Sequence, residues 1–305
     1  MNPSLSIIIP THKRPAILRQ TLDHLAKQTI AKELEVIVVH DGEDDHETKQ
    51  IISILNSQFS ILNYFAIPKS QQGIARNRGV EKASTPLTLF IGDDIFLEPD
   101  ACERHVQAHT RLRHEPLATG HKTQTSSQKP EARSQRPAAI LGHTTWDPSL
   151  DITPVMLWLE RSGWQFGYPM IEQYAHNFIP KNMQERFSYT IHISLPTEIA
   201  RKFPFREDVS LYGWEDILWG QQLKNAGIPL YYEPDAKGFH HHHITLEQSL
   251  KRMETLGKSL KYLEKIAPEL HRSPKGLKLL AYRMIALLPT MRGTHSKAFV
   301  SGLNK

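Results

Sequence analysis

The sequence predicts an α/β fold: a doubly wound, mostly parallel sheet flanked by helices, with a helical extension at the C-terminal end. Three observations point there. Over the first hundred residues, short continuous apolar runs alternate with segments of helical period. Polar residues cluster just beyond those runs, where open α/β sheets bind ligands. Residues 246–305 keep helical spacing and carry the basic excess of the chain.

The elements follow in order. Residues 5–9 form an apolar run suited to a strand buried on both faces. Residues 11–14 break it, and Pro15 opens a helix on which Leu18, Leu22 and Leu25 share one face. A second buried strand over 36–39 ends at Asp41-Gly42, and a polar helix follows over 47–55. A third strand over 62–67, a helix over 74–83 and a fourth strand over 87–91 lead to Gly92-Asp93-Asp94. Right-handed βαβ units then place Pro10-Thr11, Asp41 and Asp93-Asp94 together at the carboxyl ends of the strands. Residues 121–137 are polar and read as a mobile loop, 138–142 return to apolar character, and 146–190 are rich in aromatics. A helix over 215–226 is closed by Gly227, and 230–232 reads as a short strand. Residues 246–263 and 277–288 read as amphipathic helices.

Composition narrows the class. The chain has 305 residues, 39% of them hydrophobic, which suffices for one large core plus an appendage. A single cysteine, Cys102, excludes a disulfide framework and points to a reducing compartment. The opening MNPSLSIIIPTHKRP has no basic segment and only three consecutive isoleucines, so a signal peptide is not expected, and no apolar run reaches the roughly 20 residues needed to span a bilayer. The expected location is cytoplasmic, with peripheral attachment to the inner membrane face as the alternative. Net charge is +5, yet residues 251–305 hold twelve Lys/Arg and three Asp/Glu. The basic balance therefore belongs to the tail and suggests an anionic partner there.

Four motifs carry chemistry. Asp93 and Asp94 are adjacent carboxylates at a strand end, costly unless a cation sits beside them, and hard oxygen ligands suit Mg²⁺ or Mn²⁺. The plain alternative is a solvated turn. Gly213-Trp214-Glu215-Asp216 opens a helix, where acids favour the macrodipole, so capping competes with a general-base role. Among His240-His241-His242-His243, strand alternation puts His240 and His242 on one face, a place for a metal ligand that tilts the choice toward Mn²⁺; the others read as solvated. Arg76, in Arg76-Asn77-Arg78-Gly79 after Gln71-Gln72-Gly73, opens a helix aimed at the ligand edge and suits phosphate, although a solvated helix face explains it as simply.

Taken together, SIIIPTHKRP, LEVIVVHDG, QQGIARNRGV, LFIGDDIFLEPDA, GWEDILWGQQLKNAG and YYEPDAKGFHHHH resemble, in family order across residues 5–243, the family 2 glycosyltransferases of the nucleotide-diphosphosugar transferase (GT-A) fold. The resemblance implies a catalytic domain over 1–245, with a nucleotide-binding half at 1–100 and an acceptor-binding half at 138–245, followed by a basic extension over 246–305. It implies that Pro10, Thr11, Arg14, Asp41, Gly73, Arg76 and Asp93 bind the nucleotide, usually uracil-bearing. Gly92-Asp93-Asp94 matches the family's DxD motif, with Gly92 in place of its first acid. Asp94 and His240, with His242 completing a His-x-His pattern, would hold a divalent Mn²⁺ or Mg²⁺. Asp216 matches the catalytic base and Glu215 the residue that orients the acceptor. Trp214, Glu215 and His192 would contact that acceptor, His192 standing where relatives carry asparagine. The implied partners are a nucleotide-sugar donor and a glycan or glycolipid acceptor.

In the tail, Leu277, Leu280, Met284 and Leu287 form one stripe flanked by Lys275, Lys278, Arg283 and Arg292. Such a helix either lies on an anionic membrane or packs on the domain. Three rivals remain: a nucleotidyltransferase of similar fold, which should carry a glycine-rich loop where Pro10-Thr11-His12-Lys13-Arg14 has none; a non-catalytic sugar binder; and a nucleic-acid binder, for which no motif appears.

Overall fold

The computed structural model describes residues 3–114, 137–209 and 213–305. The loop expected over 121–137 lies, apart from Pro137, outside the described residues. Strands β1 (Leu5–Thr11), β2 (Leu34–Asp41), β3 (Ile61–Ile67) and β4 (Leu87–Ile91) pair in parallel. Helices α1 (Pro15–Ala26), α2 (His46–Leu55) and α3 (Gln72–Lys82) carry the chain between them. Every residue of β1, β2 and β4 is buried, which is why each reads as an apolar run without alternation. Helix α3 lies so close to β1 that a Cβ at Gly79 would stand 2.4 Å from Ile8 Cγ2, so only glycine fits there.

The second half adds β5 (Ile95–Leu97), α4 (Ala101–His114), β6 (Ala139–Trp146), α5 (Pro154–Ser162), β7 (Asn177–Phe178), β8 (His192–Pro196), α6 (Thr197–Lys202), α7 (Glu215–Asn225) and β9 (Leu230–His240). The described strands form one mixed sheet in the order β3-β2-β1-β4-β8-β6-β9-β5, with β7 paired to β9. Direction reverses at β8, which runs antiparallel to both β4 and β6, while β6 and β9 are again parallel.

One expected element is corrected in length. The short strand read over 230–232 continues to His240, eleven residues in all. Pro234, Asp235 and Gly238 interrupt its apolar pattern and mimic a strand end. The interruption is a bulge: Gly142 faces Glu233, but His143 faces Lys237, so β9 carries three extra residues there. Beyond it, β9 pairs with β5 and brings His240 opposite Ile95.

At the C-terminal end, α8 (Leu246–Ile266) starts with a capping box formed by Thr245 and Gln248. It packs tightly on α10 (Met291–Leu303); a Cβ at Gly257 would lie 2.3 Å from Phe299 O, and one at Gly302 2.1 Å from Glu254 O. Both helices dock on the rest of the chain, through a cluster of Val209, Trp214, Leu218, Leu260, Leu263 and Phe299 and through His295 against Trp158 and Trp164. Helix α9 (Gly276–Ile285) buries no residue. No helix among the described residues is long and apolar enough to cross a membrane.

Candidate active site

The first acidic pair stands where β4 ends. Thr11, the last residue of β1, donates its hydroxyl to Asp93 Oδ2 at 2.7 Å. Lys13 adopts a left-handed backbone (φ 52°), which turns the chain so that Arg14 faces the pair. Its guanidinium bridges the two acids, Nη1 to Asp93 Oδ1 at 2.8 Å and Nη2 to Asp94 Oδ2 at 3.0 Å. Thr21 of α1 donates to the Asp93 carbonyl at 2.7 Å. From the far side, His240 Nε2 and His242 Nδ1 approach the same Asp94 Oδ2 at 3.4 and 3.3 Å. Gly92 also has a local cause: a Cβ there would meet Asp94 Oδ1 at 2.9 Å, so a side chain would disturb the carboxylate it precedes.

The electrostatics divide the pair. Burial, with help from the Asp94 charge, pushes Asp93 up to about 6. Burial also disfavours the charge on Asp94, but hydrogen bonds from His240 and His242 outweigh it and hold that carboxyl well below its ordinary value. The ligand atoms of Asp94, His240 and His242 all lie within 4.8 Å of one another. One carboxylate and two imidazoles make a donor set suited to a divalent transition ion, so these residues fit the expected metal.

Aromatic walls orient the imidazoles. Trp146 stacks on His240 (5.4 Å between centroids, 13° between planes), and Phe166 meets it edge-on at 5.3 Å. Phe166 itself has φ 53°, an uncommon backbone for a bulky residue. His241 is drawn the other way, with Nδ1 2.6 Å from Asp147 Oδ2 and its ring on Phe96. Strand β9 ends at His240, so the facing of His240 and His242 arises at the strand's exit and not from continued pleating.

The second acidic pair opens α7. Gly213 has φ +95°, a conformation L side chains rarely adopt, and its N–H donates to Glu215 Oε2 at 2.9 Å. Asp216 accepts from the Thr190 hydroxyl at 2.5 Å and from the Thr190 backbone N–H at 3.3 Å. Burial, then the neighbouring Asp216 charge, raises the Glu215 pKa. Arg76 connects the two pairs. It is 1% exposed, its Nε and Nη1 have no hydrogen-bond partner, and Nη2 reaches only Gln72 Oε1 at 3.4 Å. Burial disfavours its charge; the carboxylates of Asp216, Glu215 and Asp93, in that order, act against that cost.

The remaining expected residues fall as follows. Pro10 lies buried in β1 opposite Val39. Asp41, at the end of β2, accepts from Lys69 Nζ at 2.7 Å and Ser70 N at 2.6 Å; these bonds outweigh burial and lower its pKa. Gly73 packs on Phe205, where a Cβ would come within 3.1 Å of the Phe205 Cβ, and that same ring lies under Arg76.

Two residues expected at the acceptor are buried within the fold. The Trp214 indole donates to Ser259 Oγ at 2.5 Å and packs against α8, so it ties the helical extension to α7. His192 is fully buried beside His105 (5.0 Å between rings) and Thr144, above Gly142, where a Cβ would strike its ring at 2.4 Å. Burial drops its pKa to about 3. Conversely, Thr190, Trp146 and Phe166 were not singled out from sequence. Thr190 offered no signal of its own; the aromatic density of 146–190 did mark the other two.

Solved structures resemble this fold over its whole length. The mannosyltransferase PcManGT from Pyrobaculum calidifontis, in complex with GDP-Man and Mn²⁺, matches with a TM-score of 0.56 at 14% identity, covering 100% of this chain and 76% of that one. TarS 1-349 of S. aureus in complex with UDP-GlcNAc matches with a TM-score of 0.55 at 15% identity, covering 99% and 90%. The fold is therefore that of the GT-A transferases. Among curated sequences, the validoxylamine A glucosyltransferase of Streptomyces hygroscopicus subsp. limoneus is 26% identical over 248 residues, 77% of this chain and 51% of the relative. A GalNAc(5)-diNAcBac-PP-undecaprenol beta-1,3-glucosyltransferase of Campylobacter jejuni is 32% identical over 94 residues, about 30% of each chain. This chain spans about half the length of the first curated relatives it matches. The glycosyl transferase family 2 profile matches residues 6–165, and the chain belongs to that family.

Proposed function

We propose that the protein transfers a sugar from a UDP-sugar to a hydroxyl of a glycan or glycolipid, with inversion at the anomeric carbon. The observation that carries this reading is the convergence of His240 Nε2 and His242 Nδ1 on Asp94 Oδ2. Asp94, His240 and His242 would hold a divalent cation, with Mn²⁺ favoured over Mg²⁺ by the imidazoles. Bound there, the ion supplies charge stabilisation to the departing diphosphate. Arg76, buried with two unpartnered nitrogens, supplies fixed positive charge for the same purpose. Thr11, Asp41 and Asp93 hold base and ribose, and Pro10 and Gly73 shape the walls of that pocket. Arg14 fixes the acidic pair until the donor arrives.

Asp216 accepts the proton of the acceptor hydroxyl as its oxygen bonds to the anomeric carbon and the bond from that carbon to the diphosphate oxygen breaks. Thr190 orients the Asp216 carboxylate, and Glu215 positions the acceptor. The UDP-GlcNAc held by TarS and the GDP-Man and Mn²⁺ held by PcManGT support a nucleotide-sugar donor and a metal in this fold. A lipid-linked acceptor would bring the enzyme to the inner membrane face.

Thermal-shift titration with UDP, GDP and dTDP, each with and without Mn²⁺, tests the reading. UDP with Mn²⁺ is expected to stabilise most, by about 2.7 kcal/mol at a hundredfold excess over Kd. In Asp94→Asn the Mn²⁺ dependence is expected to vanish. Equal stabilisation with excess EDTA in the unaltered protein refutes the metal, and a larger shift with GDP or dTDP refutes the donor.

A further inference from the structure

We propose that α9 and the turn after it form a docking face for an anionic lipid bilayer. Leu277, Leu280, Met284, Leu287 and Leu288 are 85%, 54%, 58%, 77% and 52% exposed. At 100° per residue they fall within a stripe roughly 100° wide. The turn continues the helical path, since Leu287 N–H reaches Met284 O and Leu288 N–H reaches Ile285 O at 3.2 and 3.0 Å. Tyr282, on the opposite side of the helix, packs on Phe299 of α10. The apolar stripe therefore points away from the only aromatic anchor that α9 makes among the described residues. Single exposed leucines are ordinary, but five on one helical stripe are not.

Charge selects the occupant. Residues 270–305 carry seven Lys/Arg and no Asp/Glu. Lys278 and Arg283 flank the stripe on either side and, like Arg292, have no ion-pair partner among the described residues; all three are exposed. An apolar stripe between basic side chains matches the acyl and headgroup layers of an anionic bilayer. A second copy of the chain would bring the same positive charges face to face. This inference does not rest on the transferase reading, because its measurement is binding and not turnover.

Sedimentation of the full chain with vesicles tests it, using phosphatidylcholine alone and phosphatidylcholine mixed with phosphatidylglycerol. The chain is expected to partition onto the mixed vesicles and to be released by high salt. Leu277→Gln with Leu287→Gln should weaken partitioning by roughly tenfold or more, because two apolar side chains no longer enter the acyl layer. Lys278→Ser with Arg283→Ser should weaken it on the anionic vesicles alone. Since all four side chains are exposed, unfolding temperature should not move in either variant. Equal sedimentation of unaltered and Leu277→Gln/Leu287→Gln protein, or none on any vesicle, overturns the proposal. So does a concentration-dependent dimer that the leucine variant abolishes, without lipid binding.

Discussion

Asp93 and Asp94 are met by a guanidinium, two imidazoles and the Thr11 hydroxyl, whereas Glu215 and Asp216 are met only by two backbone N–H groups and one hydroxyl. Sequence alone presents these as similar acidic doublets; their surroundings make them chemically different. In the proposed reading, the guanidinium beside Asp94 gives way to a metal cation and the imidazoles become ligands to it. Around Asp216 the hydrogen-bond donors are neutral, and the counter-charge comes from Arg76, whose largest charge partner is Asp216. The first pair is suited to binding charge and the second to taking a proton.

Asp216→Asn should give the largest effect. It keeps the shape and the Thr190 contacts but removes the basic lone pair, so release of nucleoside diphosphate from donor plus acceptor should fall by about 10²–10⁴-fold. UDP affinity, measured by calorimetry, should stay within about twofold, because a base acts after the donor is bound. Near-normal turnover would break the contrast by making Asp216 a cap and nothing more.

Arg76→Met sharpens the same contrast from between the pairs. An unpaired buried charge is costly, and an apolar replacement of similar volume is often neutral or stabilising. Unfolding temperature should therefore hold or rise, while turnover falls by roughly 10²-fold through lost charge stabilisation. A drop in unfolding temperature of several degrees with turnover unchanged would instead make Arg76 a brace for Phe205 and α3.

How much of this was legible differs by element. The strands β1, β2 and β4 were readable because burial on both faces leaves no alternation to interpret. Asp93-Asp94 was readable because it ends one of them. Strand β9 was readable only over 230–232, since its bulge hides inside Pro234-Asp235 and only pairing with β6 restores the rest. The burial of His192 was hidden for a similar reason: it depends on Gly142, fifty residues earlier in the chain and on a neighbouring strand. The packing of Trp214 was hidden in the same way, because α8 lies about forty residues further along the chain. Residues whose position is set by their own strand end could be placed; those whose surroundings are set by a distant partner could not.

Glu215→Gln should give the smallest effect and is the sharpest control on the second pair. The amide oxygen still accepts from Gly213 N–H, so the turn at φ +95° keeps its closing bond. Burial already raises the Glu215 pKa, so a neutral side chain relieves an unfavourable charge beside Asp216. Unfolding temperature should stay the same or rise by about 1–2 °C, the equivalent of about 1 kcal/mol in a chain of this size. Turnover should fall by less than about tenfold, since positioning an acceptor is a smaller contribution than moving its proton. If Glu215→Gln instead loses as much turnover as Asp216→Asn, with UDP affinity intact, the proton passes to Glu215. The hydrogen bonds from Thr190 would then hold Asp216 as the structural member of the pair.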